Sequence, residues 1–528
     1  VAAQYYSWGV ESPRHRWKQM KRDTYRVVYP DTAVHIATRM MYYLDSVQED
    51  ISYGYRHPQM SIPFVVHPSN FNSNGLVMWM PRRVEFLSSP SINSYATPWL
   101  KQLVAHEYRH AVQYNNLNRG IVKALSYVLG QQSSTIGLLF MPLWMMEGDA
   151  VMIETEMSTF GRGLQPSFTM AYRAHESVAY GYQNFDKWFS GSYKDFIPNH
   201  YHIGYLLSRY GYQQYGTVMG DDFAELTSRR PWMVVSNTWC LKKLYNSSMQ
   251  QLFYDTFLSL EEHWRPLADV EQTTEPMAVA EPDSYTTYSH PMPMADGRIL
   301  FLKEDLDKPT AFVAVDEATG EEQRIAYTGI VSTRPMLSED GRVWWTEYRQ
   351  SALYGEKVAS QLCYMDLDKG IPAIMREYRN VLYPTPTVNH GVAWAEYTPD
   401  GRYSVVVHGT ANIARRTELA YGSEIHGMAW DNATEALYLI ITDDDGMYIA
   451  SLTAEGIAPV TRAAYTTLSD LRAKDGKLYF GSIASGRDEV HTLDIASGKE
   501  YRLTPSLYGS FYPQPIDSTR IAATSYDR

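Results

Sequence analysis

"WLKQLVAHEYRHAVQY", from Trp99 to Tyr114, sets the terms for the first half of the chain. Thr97 and Pro98 precede it as an N-cap and first-turn pair, and Asn115, Asn116 and Gly120 follow as stop signals. The spacing predicts a helix between them. At about 100° per residue, Leu103, His106, Glu107, His110 and Tyr114 share one face. Leu100, Val104 and Ala111 form an adjoining apolar stripe. His106 and His110 therefore point the same way, one turn apart. Two imidazoles so placed either hydrogen-bond each other in a polar groove or share a metal ion. With the Glu107 carboxylate beside them, the H-E-x-x-H pattern favours the metal.

A hydrolytic zinc takes three protein ligands and keeps a further position open. No histidine follows at the H-x-x-G-x-x-H spacing, because the chain reads "AVQYNN" after His110. The third ligand must come from another element. "MPLWMMEGDAVMIETE" (Met141–Glu156) offers Glu147 in an otherwise apolar helical run, where a buried carboxylate needs a partner. Gly148 beside it permits close helix approach. The alternative places Glu147 at the start of an exposed helix face.

"LVAHEYRHAVQY" followed by "PLWMMEGDAVMIETE" resembles the Peptidase MA-like gluzincins, whose pattern is HExxH and then W-x-x-E-G-x-A. The resemblance spans about residues 24–216. It implies an α+β metallopeptidase domain with His106, His110 and Glu147 as Zn2+ ligands and Glu107 as catalytic base. The 36 residues between His110 and Glu147 (111–146) exceed the spacing of compact members and imply an inserted helical hairpin. No G-x-M-E-N phrase precedes the motif, so nothing marks an aminopeptidase. Within "FDKWFSGSYKDFIPNHYHIGYLLSRYGYQQYG" (Phe185–Gly216), the phrase Y-x-x-G-Y-x-x-x-x-Y also resembles the family. On that match Tyr201 is the residue at the first Tyr, flanked by His200 and His202, and any of these three is a candidate donor of a hydrogen bond to a developing oxyanion. The implied substrate is a peptide or protein. A zinc amidase acting on a non-protein substrate would use the same ligand set.

Elsewhere in this half, "TYRVVYP" (Thr24–Pro30) and "SIPFVVHP" (Ser61–Pro68) read as strands. Asp31–Asp50 reads as a helix capped by Asp31 or Thr32. "NGLVMWMPRRVEFL" (Asn74–Leu87) reads as a strand that Pro81 confines to a sheet edge. Such an edge suits an extended peptide, as the resemblance implies.

After the Pro/Glu/Thr-rich "RPLADVEQTTEPMAVAEPDS" the pattern changes from helical spacing to short strands with polar turns at roughly 40-residue intervals. The recurring phrases are "PMPMADGRILFLKED", "RPMLSEDGRVWWTEYR", "PTPTVNHGVAWAEYTPDGR", "IHGMAWDNATEALYLIITDDDG", "LSDLRAKDGKLYFGSIASGRDEV" and "YPQPIDSTRIAATSYDR". "VAVDEATGEEQRI" and "HTLDIASGKEYRLT" add a second hairpin, turned by D-x-A-S/T-G. A two-sheet sandwich is the other architecture with such strands. These phrases resemble TolB-like six-bladed propellers over about residues 280–528. The expected organisation is therefore multidomain: a gluzincin-like unit over 1–268, a linker or closing strand over 269–283, and an all-β propeller over 284–528. The last repeat is only half present, so either a strand within Thr273–Ala280 closes the ring or the natural chain continues.

A net charge of −12 disfavours a nucleic-acid or anionic-membrane partner, since no excess of cations is available. Cys240 and Cys363 fall in different halves, which excludes a disulfide framework. The apolar stretch from Gly120 to Met146 is interrupted by Lys123 and "GQQSST", so no span of a bilayer is expected. A chain that begins at Val1 reads as a trimmed form, and a periplasmic or secreted location is the expectation. The propeller would cover a cleft, select substrate or bind a protein partner. The competing function is a propeller-based protein-binding scaffold with a degenerate metal site.

Overall fold

The computed structural model describes residues 11–526, except 58–60, 93–94, 134–136, 139–140, 159–160, 176, 180–184, 231–235, 269, 271–273, 278, 280–281 and 409–413. Its first part is a mixed five-stranded sheet backed by helices. Strands β1 (Trp17–Lys21), β2 (Tyr25–Pro30), β3 (Ile62–His67), β4 (Asn74–Trp79) and β5 (Arg82–Leu87) lie in the order β1-β2-β3-β5-β4. The three central strands are parallel, while β1 and β4 pair antiparallel at the two edges. The expected single strand over Asn74–Leu87 is instead a hairpin. Pro81 sits in its turn, where a missing N–H costs no ladder bond, and β4 becomes the edge.

Helices α1 (Val34–Ile51) and α2 (Trp99–Leu117) pack against each other and against the sheet. The next helices are α3 (Gly120–Leu129), α4 (Leu143–Glu156), α5 (Pro166–Arg173) and α6 (Phe185–Ser190). They are followed by α7 (His200–Tyr215), α8 (Met219–Arg229), α9 (Ser236–Tyr245) and α10 (Met249–Trp264). Helices α4 and α8 cover the side of α2 away from the sheet, and α7 packs on α4. One core runs through all three layers, from Val27 and Phe64 through Val104 and Val112 to Val151 and Leu207. Neither Asp31 nor Thr32 caps α1, which is entered through a 3-10 turn, Asp31–Ala33, with Ala33 at the N-cap.

From Thr286 onward the regular elements are all strands. Five four-stranded sheets follow one another: β6–β9 (286–327), β10–β13 (331–379), β14–β17 (381–418), β18–β21 (424–459) and β22–β25 (468–502). Each is an up-and-down meander of antiparallel neighbours, and the first strand of each packs on the first strand of the next. This is a β-propeller with five complete blades. A two-stranded sheet, β26 (Ser510–Pro515) and β27 (Ile521–Ser525), lies between β22–β25 and β6. Lys474 Nζ donates to Ile516 O at 2.8 Å on one side, and Thr524 Oγ1 donates to Tyr288 O at 2.6 Å on the other. Each of the six repeated phrases forms the first hairpin of its sheet. Residues 274–277 and 279 form no strand, and the remainder of the anticipated closing segment lies outside the described residues.

Direct contacts tie the two parts together. Arg39 pairs with Asp444 at 3.1 Å, and Tyr397 Oη donates to Ser88 O at 3.3 Å. Helix α2 starts at Trp99 with Pro98 as N-cap, so Thr97 does not fill the capping role. The Glu424 carboxylate, at the start of β18, accepts the Trp99 N–H instead, at 3.0 and 3.1 Å.

Candidate metal centre

Helix α2 presents the two imidazoles and α4 the carboxylate. The Nε2 atoms of His106 and His110 are 3.1 Å apart, with rings at 88° to one another. Glu147 Oε2 lies 3.2 Å from the first nitrogen and 3.0 Å from the second. Three atoms each about 2 Å from a common ion at tetrahedral angles would stand roughly 3.3 Å apart, so this donor set fits a zinc ion. Among the described residues it is the one cluster of this kind.

The second nitrogen of each ring is held as well. His106 Nδ1 faces Glu154 Oε2 at 3.0 Å, and Glu154 is clamped by Arg162 through Nε at 2.5 Å and Nη2 at 2.9 Å. His110 Nδ1 faces Gln113 Oε1 at 2.8 Å. Gln113 in turn donates to Asp149 Oδ2 at 2.7 Å and Met146 O at 2.9 Å, which fixes its amide with oxygen toward the imidazole. Anchoring through Nδ1 turns both Nε2 atoms toward Glu147, where a bound cation would replace any proton they share with that carboxylate. The fully buried Arg109 holds Asp149 by two bonds of 2.8 and 2.9 Å and donates to the Ile51 and Tyr53 carbonyls. Asp149 and Glu154 both follow Glu147 on α4, so one helix supplies a candidate ligand and both anchoring carboxylates.

The approach of α4 to α7 depends on two glycines. A Cβ on Gly148 would stand 2.0 Å from the Gly204 carbonyl carbon, and one on Gly204 would stand 2.0 Å from Trp144 O. This crossing brings Tyr201, one turn before Gly204, over the cluster, with its ring centroid 6.0 Å from that of His106. Arg162 stacks on the same phenol at 5.4 Å.

Glu107 is buried beside the histidines. Its carboxyl abuts Gly75 of edge strand β4 so closely that a Cβ there would lie 2.5 Å from Oε1. A cavity of about 640 Å³ opens over the cluster. The whole predicted face of α2, Leu103, His106, Glu107, His110 and Tyr114, lines it, together with Glu147, Tyr201 and residues 74–77 of β4. His202 lies elsewhere: it stacks on Phe168 at 4.2 Å, faces Asn199 Oδ1 at 2.8 Å and lines a neighbouring cavity. His200 borders neither cavity and meets Tyr201 ring to ring at 4.7 Å. The anchors Gln113, Asp149, Glu154 and Arg162 escape a sequence reading. Glu154 alone leaves a trace, since it falls two turns after Glu147.

The charges reinforce one another. Burial works against the Glu147 carboxylate, yet His110 and His106 hold its pKa below the usual carboxylate range. Burial would lower His110, but Glu147 raises it to about 9. Burial likewise opposes Glu154, which Arg162 and His106 hold down to about 2. Glu107 moves the other way: burial raises its pKa, only partly offset by the two histidines. Burial, then the nearby Glu147 carboxylate, raises the Tyr201 phenol, which stays protonated. The cluster attracts a cation, Glu107 is a carboxylate of raised basicity, and Tyr201 is a fixed donor.

No protein-family model matches the chain, and no curated protein matches it. Solved structures match it in part. A puromycin-hydrolysing peptidase of Mycobacterium tuberculosis aligns at 12% identity over 44% of this chain and 39% of that one, with a TM-score of 0.34. A putative TolB from Agrobacterium tumefaciens aligns at 11% identity over 43% of this chain and 86% of that one, also at 0.34. An oligogalacturonate lyase in complex with manganese aligns at 16% identity over 45% and 73%, at 0.33. The chain thus spans well under half of the peptidase. Scores this low carry no argument about function here. No helix among the described residues is long and apolar enough to cross a membrane.

Proposed function

We propose that this chain is a zinc-dependent hydrolase of the gluzincin type that cleaves peptide bonds. The carrying observation is the convergence of His106, His110 and Glu147 within 3.0–3.2 Å on the floor of a cavity that also holds Glu107. Residues 1–268 act as the catalytic unit, 269–283 as a linker, and 284–528 as a propeller whose sixth blade is β26–β27.

His106, His110 and Glu147 would hold the ion. Zinc, when bound, supplies a Lewis acid that polarises a carbonyl and lowers the pKa of water. Glu107 takes the proton of the attacking water and returns it to the leaving nitrogen, a role suited to a carboxylate whose burial raises its basicity. Tyr201 donates a hydrogen bond from its hydroxyl to the oxyanion that develops on the scissile carbonyl. An extended peptide pairs with the free edge of β4, and the contact between Gly75 and Glu107 sets its scissile bond beside the base.

The test is turnover of an unbiased peptide library by the parent and by Glu107→Gln. The variant keeps the shape and loses the base. The expected result is equal metal content and a fall in rate of about 10²–10⁴. Parental turnover by the variant would remove Glu107 from its role. A metal-loaded parent that cleaves no peptide would remove the substrate class.

A further inference from the structure

The centre of the propeller holds a second cluster that the metal centre does not use. On the first strand of each of the six sheets the ladder breaks at a corresponding place. The breaks fall at Ser289/Met292, Thr333/Met336, Leu382/Thr385, Ile425/Gly427, Ser469/Arg472 and Phe511/Gln514. A bulge re-aims the side chain it carries. His290, Tyr383, Asp470 and Tyr512, one in each of four breaks, have φ between 52° and 56°, backbone that a non-glycine residue rarely adopts.

The side chains from this layer meet across the ring. Arg334 Nη2, from the second sheet, donates to Met428 O of the fourth. Arg472 Nη2, from the fifth, reaches Pro335 O of the second at 3.5 Å, and its Nε donates to Gln514 Oε1 at 2.7 Å. His290 and Tyr512 lie ring to ring at 4.2 Å. Two guanidinium groups thus share the middle of the propeller, 7% and 4% exposed. Neither enters an ion pair among the described residues, and the Nη1 atom of each is buried without an acceptor. His290 Nδ1 and His426 Nδ1 are also buried without a hydrogen-bond partner, while His426 Nε2 lies 3.4 Å from Glu424 Oε2. Asp470 is the one carboxylate felt by both arginines. Burial works against both charges, and a guanidinium offers five N–H donors, so buried donors without acceptors call for an acceptor-rich anion.

We infer that Arg334 and Arg472 form a binding site for an oxyanion in the middle of the propeller, taking a carboxylate or phosphate group on their unpartnered Nη1 donors. The site is separate from the metal centre and does not depend on the reading of that centre.

The test is thermal unfolding of the full chain with rising inorganic phosphate and, separately, rising succinate, at constant ionic strength set by sodium chloride. A ligand that binds only the folded state raises the midpoint saturably. A response to phosphate alone assigns a phosphate group, and a response to succinate alone or to both assigns a carboxylate-accepting site. Arg334→Gln and Arg472→Gln should weaken the responding anion at least tenfold. Arg334→Lys and Arg472→Lys, which keep the charge and lose the fork, guard against variants that fail to fold and should also bind more weakly. A metal-free His106→Ala/His110→Ala chain should respond like the parent. Absence of a saturable response to either anion would overturn the inference, as would an undiminished response in the lysine variants.

Discussion

At the residue scale, the proposed metal centre is a donor set whose orientation is fixed from behind. The i, i+4 spacing made the shared face of His106 and His110 legible, because helix geometry alone determines it. Glu147 was legible as a charge in an apolar run. The anchors were not, since they depend on which helix lies opposite. Glu154 is the clearest case. It accepts from His106 Nδ1 at 3.0 Å and is charged because Arg162 holds it. Glu154→Gln should leave the ring in place but make His106 a poorer donor, lowering zinc affinity about 10–100-fold. Competition with a chelator of known affinity measures this, and an unchanged constant would mean that the anchor is dispensable.

At the scale of elements, the crossing of α4 over α7 sets the cavity. Gly148 was legible as a point of close approach, whereas its partner Gly204 required knowing that the two helices cross. Gly148→Ala would drive a Cβ into the backbone of α7, which has no flexible side chain there to yield. Overpacking of this kind costs about 1–3 kcal/mol. Moving α7 also displaces Tyr201, so peptide turnover should fall by more than zinc affinity. Chemical denaturation and chelator titration of the same variant separate the two effects. Full activity at reduced stability would show that Tyr201 is not positioned by this crossing. The capping of α2 shows a limit of local reading. Thr97 had the right type and place, but the Trp99 N–H is met by Glu424, more than 300 residues away in sequence.

At the scale of the whole molecule, the hairpin phrases foretold the sheets because each D-G or N-x turn fixes a local register. Contacts between the two parts could not be foretold, since they join residues with no sequence relation. Asp488 lies at such a contact, near Arg173 of α5, with Oδ2 buried and unpartnered. Burial raises its pKa from 3.8 to about 6, against the pull of Arg173 and the Ser167 N–H. Between those values the folded chain binds the proton more tightly than the unfolded chain. The stability this group allows is therefore fully present below pH 4 and is lost as pH rises through 6. Asp488→Asn removes the titration. The variant should gain on the parent by roughly 2–3 kcal/mol between pH 4 and pH 7.5. Parallel stability profiles for the two chains would contradict that.

The central claim is that three side chains on α2 and α4 hold one zinc ion. Elemental analysis of the purified full chain, set beside Glu107→Gln and the His106→Ala/His110→Ala double variant, tests it most directly. The account predicts about one zinc per chain in the parent and in Glu107→Gln, and none in the double variant. A double variant that retains the parental zinc content, or a parent that takes up no zinc when it is supplied, would contradict it.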